Sequence, residues 1–357
     1  MAPQRGQCHR AAGPGPHPAR RPGPAVRTGA HDEGGDPRSD AAWHRGRRYL
    51  SEHRAQHAVR HRPLRTLPGG TPLHLPGRAG VPLPRHRRLD RPGGLLRVKP
   101  RIAVHKFSSC DGCQLAFLNA GEDLLELARQ VEIVHFAEAG PMDPEAPVDI
   151  AFVEGSISTH EEALRIRRVR QASRYLVTLG ACATAGGLQA LRNFQADGVG
   201  GWTRAIYAQP AFIESLDTAT AIARHVPVDL ELWGCPVNGA QVFTAIRRLL
   251  FGALPFVDNE KVCQECKRRG VVCVLVTRGI PCLGPVTRTG CGALCPAFGR
   301  DCYGCFGPAE NPNSPALARR LEGLGLVPEA VARRFHFINS QAPGFLETGL
   351  DYTGGPP

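Results

Sequence analysis

The chain has 357 residues, of which 44 are Lys or Arg and 32 are Asp or Glu, so its formal net charge is +12. The excess lies in residues 1–97, with 19 Arg and 6 acidic residues, because residues 98–357 hold 25 basic and 26 acidic residues. The near-neutral body lacks the basic balance typical of nucleic-acid binding. No apolar run has the length of a membrane helix, so we expect no membrane span.

The leader, residues 1–97, is rich in Arg, Pro and His. Stretches such as "GPGPHPARRPGP" offer too little apolar surface to offset chain entropy. One hypothesis is a disordered basic tail that touches nucleic acid or a membrane. The other is GC-rich DNA translated from a start codon too far upstream or in the wrong frame. Neither hypothesis gives the leader a folded core, and the fold is predicted from residue 98 onward.

From residue 101 the pattern alternates between short apolar runs and longer amphipathic ones. "RIAVHKF", "VEIVHF", "VDIAFVEG", "YLVTLGACA" and "VDLELWGCPVNG" indicate strands. "QLAFLNAGEDLLELARQ", "HEEALRIRRVRQAS" with Thr159 as its cap, and "AQVFTAIRRLLFG" indicate helices. Residues 98–257 are therefore predicted to form an α/β domain with a doubly wound parallel sheet and helices on both faces.

Four cysteines follow three of these strands. Cys110 and Cys113 come after "RIAVHKF", Cys182 ends "YLVTLGA", and Cys235 follows "VDLELWG". The carboxyl ends of parallel strands share one edge of the sheet, where functional loops gather. We therefore expect these four thiols to converge.

Residues 258–357 are predicted to form a second, cysteine-rich domain. Eight cysteines lie between residues 258 and 307, among many Gly and Pro, with one short apolar run, "VVCVLV". Such a segment has too little core to fold alone, and metal ligation would supply what it lacks. A short helix, "PALARRLEGL", and a docking tail are predicted after residue 315.

The twelve cysteines after residue 97 divide into three sets of four. The sets are Cys110, Cys113, Cys182 and Cys235; Cys263, Cys266, Cys273 and Cys282; and Cys291, Cys295, Cys302 and Cys305. Four thiolates suit either zinc or a 4Fe–4S cluster. Two features favour iron–sulfur clusters. Three complete sets of four cysteines are more than structural support requires, and the first set lies on a sheet that needs no metal for its stability. A zinc-stapled structural module of a redox complex is the alternative.

The chain resembles the small, electron-transferring subunit of NiFe hydrogenases, of the soluble cytoplasmic sulfhydrogenase or NAD(P)-linked type. The motifs are "SSCDGCQ", "EGSIST", "LGACATAGG", "LWGCPVNG", "CQECKRRGVVC", "PCLGPVTRTGCGALCPAFGRDCYGC" and "GPAENPN". They span roughly residues 101–315. A complex I-like iron–sulfur subunit is a further alternative, but "CDGC" and the eight later cysteines argue against it.

The resemblance implies a flavodoxin-like domain whose first cysteine set holds the proximal cluster, followed by a ferredoxin-like segment with the medial and distal clusters. Cys263 stands where many exported relatives have His, and Cys295 offers a fourth medial ligand. All three clusters are therefore expected to be 4Fe–4S. Cys282 and Cys291 could trade places between the last two sets.

The resemblance also implies partners and a reaction. A nickel–iron centre in a separate large subunit would perform H2 ⇌ 2H+ + 2e−, and this cytoplasmic chain would carry the electrons. A flavin-bearing subunit that reduces NAD(P), with further iron–sulfur subunits, or a polysulfide-reducing partner would exchange them. Nucleic acid and membranes are not expected as partners.

Several other residues carry open alternatives. Glu154 either orients the first cysteine loop or relays a proton, or it is a loop carboxylate in solvent. Gly186 and Gly187 either allow close approach to a cluster or serve a plain turn. His105 and His135 are predicted to be strand residues rather than ligands. Arg247 and Arg248 are predicted to lie on a solvated helix face or to contact a partner.

Overall fold

Five parallel strands form one sheet at the centre of the fold. The computed structural model describes residues 99–195, 197–253, 255 and 260–353, so the predictions for the leader lie outside the described residues. The strands are β1 (Arg101–Lys106), β2 (Glu132–Phe136), β3 (Val148–Glu154), β4 (Ser173–Leu179) and β5 (Leu230–Leu232). Their order in the sheet is β2-β1-β3-β4-β5. This order, found in flavodoxin-like sheets, confirms the predicted α/β class.

The helices pack against the sheet or follow it in the chain. They are α1 (Gly112–Leu118), α2 (Glu122–Gln130), α3 (His160–Ala172), α4 (Gly180–Ala185), α5 (Gly198–Ile206), α6 (Gly239–Leu250), α7 (Val262–Arg268), α8 (Val274–Arg278), α9 (Leu294–Ala297), α10 (Ser314–Glu322), α11 (Pro328–His336) and α12 (Phe345–Asp351). Three 3₁₀ segments connect them, at Gly187–Phe194, Pro210–Phe212 and Ile222–Arg224.

The sheet buries apolar side chains on both faces because successive residues of a strand point to opposite sides. Ile102 and Phe152 pack on one face with side chains of α1 and α6. Ala151 and Val153 pack on the other face with Ile166 of α3. The near-continuous apolar runs of β1, β3 and β4 are what a doubly covered parallel sheet requires.

The predicted cap of α3 is confirmed. Thr159 accepts a hydrogen bond from the backbone N–H of Glu162, and the Glu162 side chain accepts one from the backbone N–H of Thr159. This capping box fixes the first turn of the helix.

Two predicted elements differ in the structure. The helix predicted over "QLAFLNAGEDLLELARQ" is two helices, α1 and α2, separated at Gly121, whose φ is +59°. The strand predicted over "YLVTLGACA" ends at Leu179, because Gly180 has a φ of +79° and starts α4. Cys182 therefore lies on a short helix rather than on a strand.

The cysteine-rich segment consists of short helices, α7, α8 and α9, joined by turns, with isolated bridges such as Lys261–Arg288 and no strands among its described residues. A ferredoxin-like fold for it stays a prediction. The tail predicted after α10 contains two more helices, α11 and α12, which meet where the Phe335 and Phe345 rings pack edge to face at 5.6 Å. No helix in the described part of the chain is both long and apolar enough to cross a membrane.

Candidate metal centres

The first group of thiols lies at the carboxyl-end edge of the sheet. Cys110 and Cys113 follow β1, Cys182 lies in α4 directly after β4, and Cys235 follows β5. Cys182 and Cys235 are close enough to Cys113 to raise the pKa of its thiol, and Cys110 does the same to Cys182. The structure thus brings together the four residues that the strand-end pattern predicted. Their role as ligands stays a prediction.

Burial is the largest influence on the pKa values of Cys113, Cys182 and Cys235. It raises the pKa of Cys182 to about 12, with further contributions from Cys235 and Cys110, and it also raises the pKa values of Cys113 and Cys235. A buried thiol with such a pKa stays protonated and inert at neutral pH. Metal binding would release its proton, because the thiolate is the ligand and the metal supplies the opposite charge.

Glu154 is an internal anchor for the first cysteine loop. Its carboxylate is buried at the end of β3 and accepts backbone N–H bonds from Cys113 at 3.1 Å and from Gln114 at 3.2 Å. The interpretation of Glu154 as a solvent carboxylate is therefore wrong. Burial raises its pKa and these N–H donors lower it. The carboxylate orients the start of α1 and thereby the Cys113 thiol.

Two glycines keep space open beside the first group. A Cβ at Gly180 would lie 2.2 Å from the Cys113 sulfur, and a Cβ at Gly187 would lie 2.5 Å from the Cys182 sulfur. Both glycines have positive φ, at +79° and +61°. The four-thiol donor set and this cradle without side chains fit an iron–sulfur cluster.

The second group lies between α7 and the loop after α8. Cys263 and Cys266 are on α7, Cys273 precedes α8, and Cys282 follows it. Cys263, Cys282 and Cys273 each contribute to raising the pKa of Cys266 to about 11, after burial as the largest cause. Cys273 is exposed, whereas Cys282 is buried.

The third group surrounds α9. Burial raises the pKa of Cys305 to about 12, and Cys291 and Cys295 add to this effect. Cys302 lies between the second and third groups, because both Cys282 and Cys305 raise the pKa of its thiol. After burial, Cys273 contributes to raising the pKa of Cys282, and Cys291 to raising that of Cys305, so each pair lies close together. The division into ligand sets stays a prediction. No group of three or more His, Cys, Asp or Glu in the described ranges is positioned to hold a single metal ion.

Glu265, between the two cysteines of α7, was not singled out by the sequence. Its carboxylate accepts backbone N–H bonds from Gly290 at 2.9 Å and from Gly292 and Ala293 at 3.1 Å. The Cys291 sulfur lies 3.8 Å from the same carboxylate. Its partners are 25 to 28 residues further along the chain, so no local pattern could have revealed this anchor.

Close contacts connect the three groups. Cys235, in the first group, lies close enough to Cys305 in the third to influence the pKa of its thiol. The N–H of Cys302, in the third group, donates to the sulfur of Cys282 in the second at 3.2 Å. The first group therefore contacts the third group, and the third contacts the second.

The loop after β5 joins the sheet to the cysteine-rich segment. The Arg288 guanidinium lies 4.6 Å from the centre of the Trp233 ring, and Asn238 donates to the Gly290 carbonyl at 2.6 Å. A Cβ at Gly307 would lie 2.3 Å from the Trp233 ring. These contacts fix Cys235 relative to Cys305.

Two histidines and two arginines that the sequence analysis named lie outside the thiol groups' loops. His105 and His135 are buried strand residues, as predicted, with ring centres 4.8 Å apart. Arg247 and Arg248 are exposed on α6, and Arg247 pairs with Asp123 at 3.5 Å.

Comparison with known proteins identifies the family. The sequence profile of the family described as "NADH ubiquinone oxidoreductase, 20 Kd subunit" matches residues 110–249 and ends before Cys263. Sulfhydrogenase 2 subunit delta of Pyrococcus furiosus is 34% identical over 234 residues, which cover 66% of this chain and 97% of that protein. The subunit delta of the NAD-reducing hydrogenase HoxS of Cupriavidus necator is 26% identical over 43% of this chain and 80% of that protein.

Among solved structures, a chain of the NAD+-reducing [NiFe]-hydrogenase in the H2-reduced state is 29% identical and covers 44% of this chain and 95% of that chain, with a TM-score of 0.41. The identity along almost the whole Pyrococcus subunit, together with the sheet and its thiol groups, defines the class: the chain belongs to the small (delta) subunits of NiFe hydrogenases. It is a hydrogenase subunit, hence part of an oxidoreductase, and its role is electron transfer.

Proposed function

We propose that the chain holds three 4Fe–4S clusters and carries electrons between a large subunit and an electron-accepting partner. The large subunit would contain the nickel–iron site at which H2 is split into protons and electrons. The partner would be a flavin-bearing subunit that reduces NAD(P), or a polysulfide-reducing one. Residues 98–257 would hold the proximal cluster and residues 258–357 the other two, in a cytoplasmic complex.

The ligand sets proposed are the three thiol groups. The proximal cluster would take Cys110, Cys113, Cys182 and Cys235; the distal cluster Cys263, Cys266, Cys273 and Cys282; and the medial cluster Cys291, Cys295, Cys302 and Cys305. When bound, the clusters supply one-electron redox chemistry. The chain's own residues position the thiols, and their N–H donors and burial adjust the potentials.

The observation that carries this proposal is the continuous sequence of contacts between the groups. An exposed thiol, Cys110, lies at one end and another, Cys273, at the other. Between them, Cys235 lies close to Cys305, and the backbone N–H of Cys302 donates to the Cys282 sulfur, so that each group meets the next. A carrier of electrons between two partners needs an accessible centre at each end and a buried connection between them.

The test is Cys113→Ser in the purified complex. We expect the proximal cluster's paramagnetic signal and about four iron atoms per chain to be lost. H2-driven dye reduction should stop. Isotope exchange of H2 at the large subunit should persist, because that reaction does not require electrons to leave through the clusters of this chain. A zinc-stapled module would show neither the signal nor visible absorption in the unmodified protein.

Cys8→Ser is the matched control, since Cys8 lies in the leader and outside all three sets. It should leave iron content and dye reduction unchanged. Full dye reduction in Cys113→Ser would contradict the proposed proximal ligand set.

A further inference from the structure

The cysteine-rich segment has a charge opposite to that of the sheet domain. Residues 260–305 contain seven basic and three acidic side chains, whereas residues 98–257 contain 14 basic and 17 acidic ones. Five of the seven cations are exposed, and we call them the basic face: Lys267, Arg268, Arg269, Arg278 and Arg300. The charge is therefore concentrated around the second thiol group.

The acidic side chains of this segment leave most of that charge uncompensated. Glu265 is turned inward to backbone N–H groups, and Asp301 is buried and paired with Arg334. Glu260 pairs with Arg268. The basic face thus keeps a local positive potential, because one of its five cations is paired with an acidic side chain of the segment.

Three other cations of the face hydrogen-bond to neutral oxygens, which leave their charge intact. Arg269 donates to the Gly292 carbonyl at 2.6 Å, Arg278 to the Gly299 carbonyl at 3.5 Å, and Arg300 to the Tyr303 hydroxyl at 3.1 Å. These bonds hold the guanidinium groups in place at the surface. The side chains are therefore partly ordered before any partner arrives, which lowers the entropic cost of docking.

A cleft of about 390 Å³ runs through this face. It is lined by Arg269, Arg278, the turn at 270–272 and the turn at 296–299. Exposed apolar side chains accompany it: Val272 is 66% exposed, Val276 is 79% exposed and Phe298 is 76% exposed. Exposed apolar side chains next to charged ones are typical of a protein-docking surface, which combines an apolar centre with a polar rim.

The face also lies beside the thiols of the second and third groups. Cys273 is exposed and directly follows Val272 of the cleft. The backbone N–H of Arg300 donates to the carbonyl of Cys295, in the third group, at 3.0 Å. A redox partner docked here would bring its own centre close to the second cluster.

We propose that the basic face docks a protein electron carrier whose docking surface is acidic. This inference rests on the proposed function, because it requires a cluster in the second group. When bound, a cluster held by Cys263, Cys266, Cys273 and Cys282 would pass electrons one at a time to the carrier's cofactor, so each H2 oxidised at the large subunit would reduce two carriers and release two protons there. Opposite charges on the two surfaces steer the encounter.

The test uses the complex of this chain with its large subunit under H2, with two soluble one-electron acceptors as probes in place of the accepting partner. Flavodoxin is the acidic probe and cytochrome c the basic one. In the unmodified complex we expect the second-order rate of flavodoxin reduction to fall as salt is added, because salt screens the attraction between exposed charges. The rate of cytochrome c reduction should rise with salt.

The variant is the double charge reversal Arg269→Glu with Arg278→Glu. We expect it to lower the rate of flavodoxin reduction about ten-fold or more at low salt, and to raise the rate for cytochrome c. The control, Arg129→Glu with Arg320→Glu, changes the net charge equally at exposed sites on α2 and α10. It should keep the salt dependence of the unmodified complex.

Iron content and cluster spectra are measured on the same samples. Two outcomes with normal clusters would overturn the docking proposal and leave the proposed function standing. One is a rate of flavodoxin reduction that is insensitive to salt, and the other is a rate that falls equally in the control variant. Absence of cluster signals in the unmodified complex would overturn the proposed function, and the docking proposal with it.

Discussion

Two carboxylates of this chain perform the same task at two different thiol groups. Glu154 holds the backbone of the Cys113 loop, and Glu265 holds the loop that carries Cys291. Hydrogen bonds from backbone N–H groups to a carboxylate are stronger than those between neutral partners. Each carboxylate lies on a different element from the loop that it fixes, so each anchor joins two parts of the fold.

Glu265→Gln tests the second anchor. The amide keeps one oxygen acceptor but presents N–H donors to the backbone N–H groups of the loop, so part of the three-bond anchor is lost. A hydrogen bond to a charged group contributes about 1.5–3 kcal/mol. We therefore expect iron of the third cluster to be released to a chelator about ten-fold faster or more. The measurement is anaerobic iron release, with the signals of each cluster followed separately.

Glu310→Gln is the matched control for this substitution, because Glu310 is exposed and lies outside the thiol groups. It should release iron at the rate of the unmodified protein. Equal release rates in the Glu265 and Glu310 variants would show that the carboxylate does not stabilise the third site.

At the scale of elements, strand patterns were predictable and helix boundaries less so. All five strands were predicted, because short, nearly continuous apolar runs between longer amphipathic stretches are typical of a covered parallel sheet. The division of the first helix at Gly121 and the start of α4 at Gly180 depend on single glycines with positive φ. A periodic apolar pattern continues across such positions and does not mark them.

Strands β1 and β2 also carry a buried pair of rings with a consequence for stability. Burial, then His135, then Arg165 lower the pKa of His105 to about 3. Burial and Arg165 lower the pKa of His135, against an opposing effect of Asp143. Between about pH 6.5 and pH 3 the unfolded chain binds a proton at position 105 that the folded chain does not. Stability therefore falls as the pH decreases below about 6.5, and is unaffected by this group above it.

His105→Phe keeps a ring against His135 and removes this titration. For one proton the loss approaches about 1.4 kcal/mol per pH unit. We expect the melting temperature of the variant to fall less between about pH 6.5 and about pH 5.5 than that of the unmodified protein. The exposed His160→Phe is the control. The same fall in all three proteins would refute a role for His105.

At the scale of the whole molecule, the near-zero charge of residues 98–357 conceals two regions of opposite sign. The sheet domain carries more acidic than basic residues, and the segment at 260–305 carries more basic ones. A sum over the chain cannot show this, because the two excesses cancel. The first thiol group therefore lies in a domain with an acidic excess, and the second thiol group lies in a segment with a basic excess.

A chain that begins at Val98 tests whether the leader matters. All twelve cysteines of the three groups lie after residue 97, as do the five strands that the described part of the chain forms. We therefore expect the shortened chain to keep the iron content, cluster spectra and partner binding of the full chain. Metal analysis and co-purification, with the full chain prepared in parallel, provide the measurement. Loss of iron on shortening would show that the leader contributes to the fold or to cluster assembly.

The sequence by itself determined the α/β class, the convergence of Cys110, Cys113, Cys182 and Cys235, and the family. These follow from local patterns, because a thiol placed just after a strand must lie at the carboxyl edge of a parallel sheet. Only the tertiary structure decided that Cys302 lies between two groups, that Cys235 lies close to Cys305, and that Arg269 and Arg278 line one cleft. The physical reason is distance along the chain: such contacts join residues tens of positions apart, and only packing brings them together.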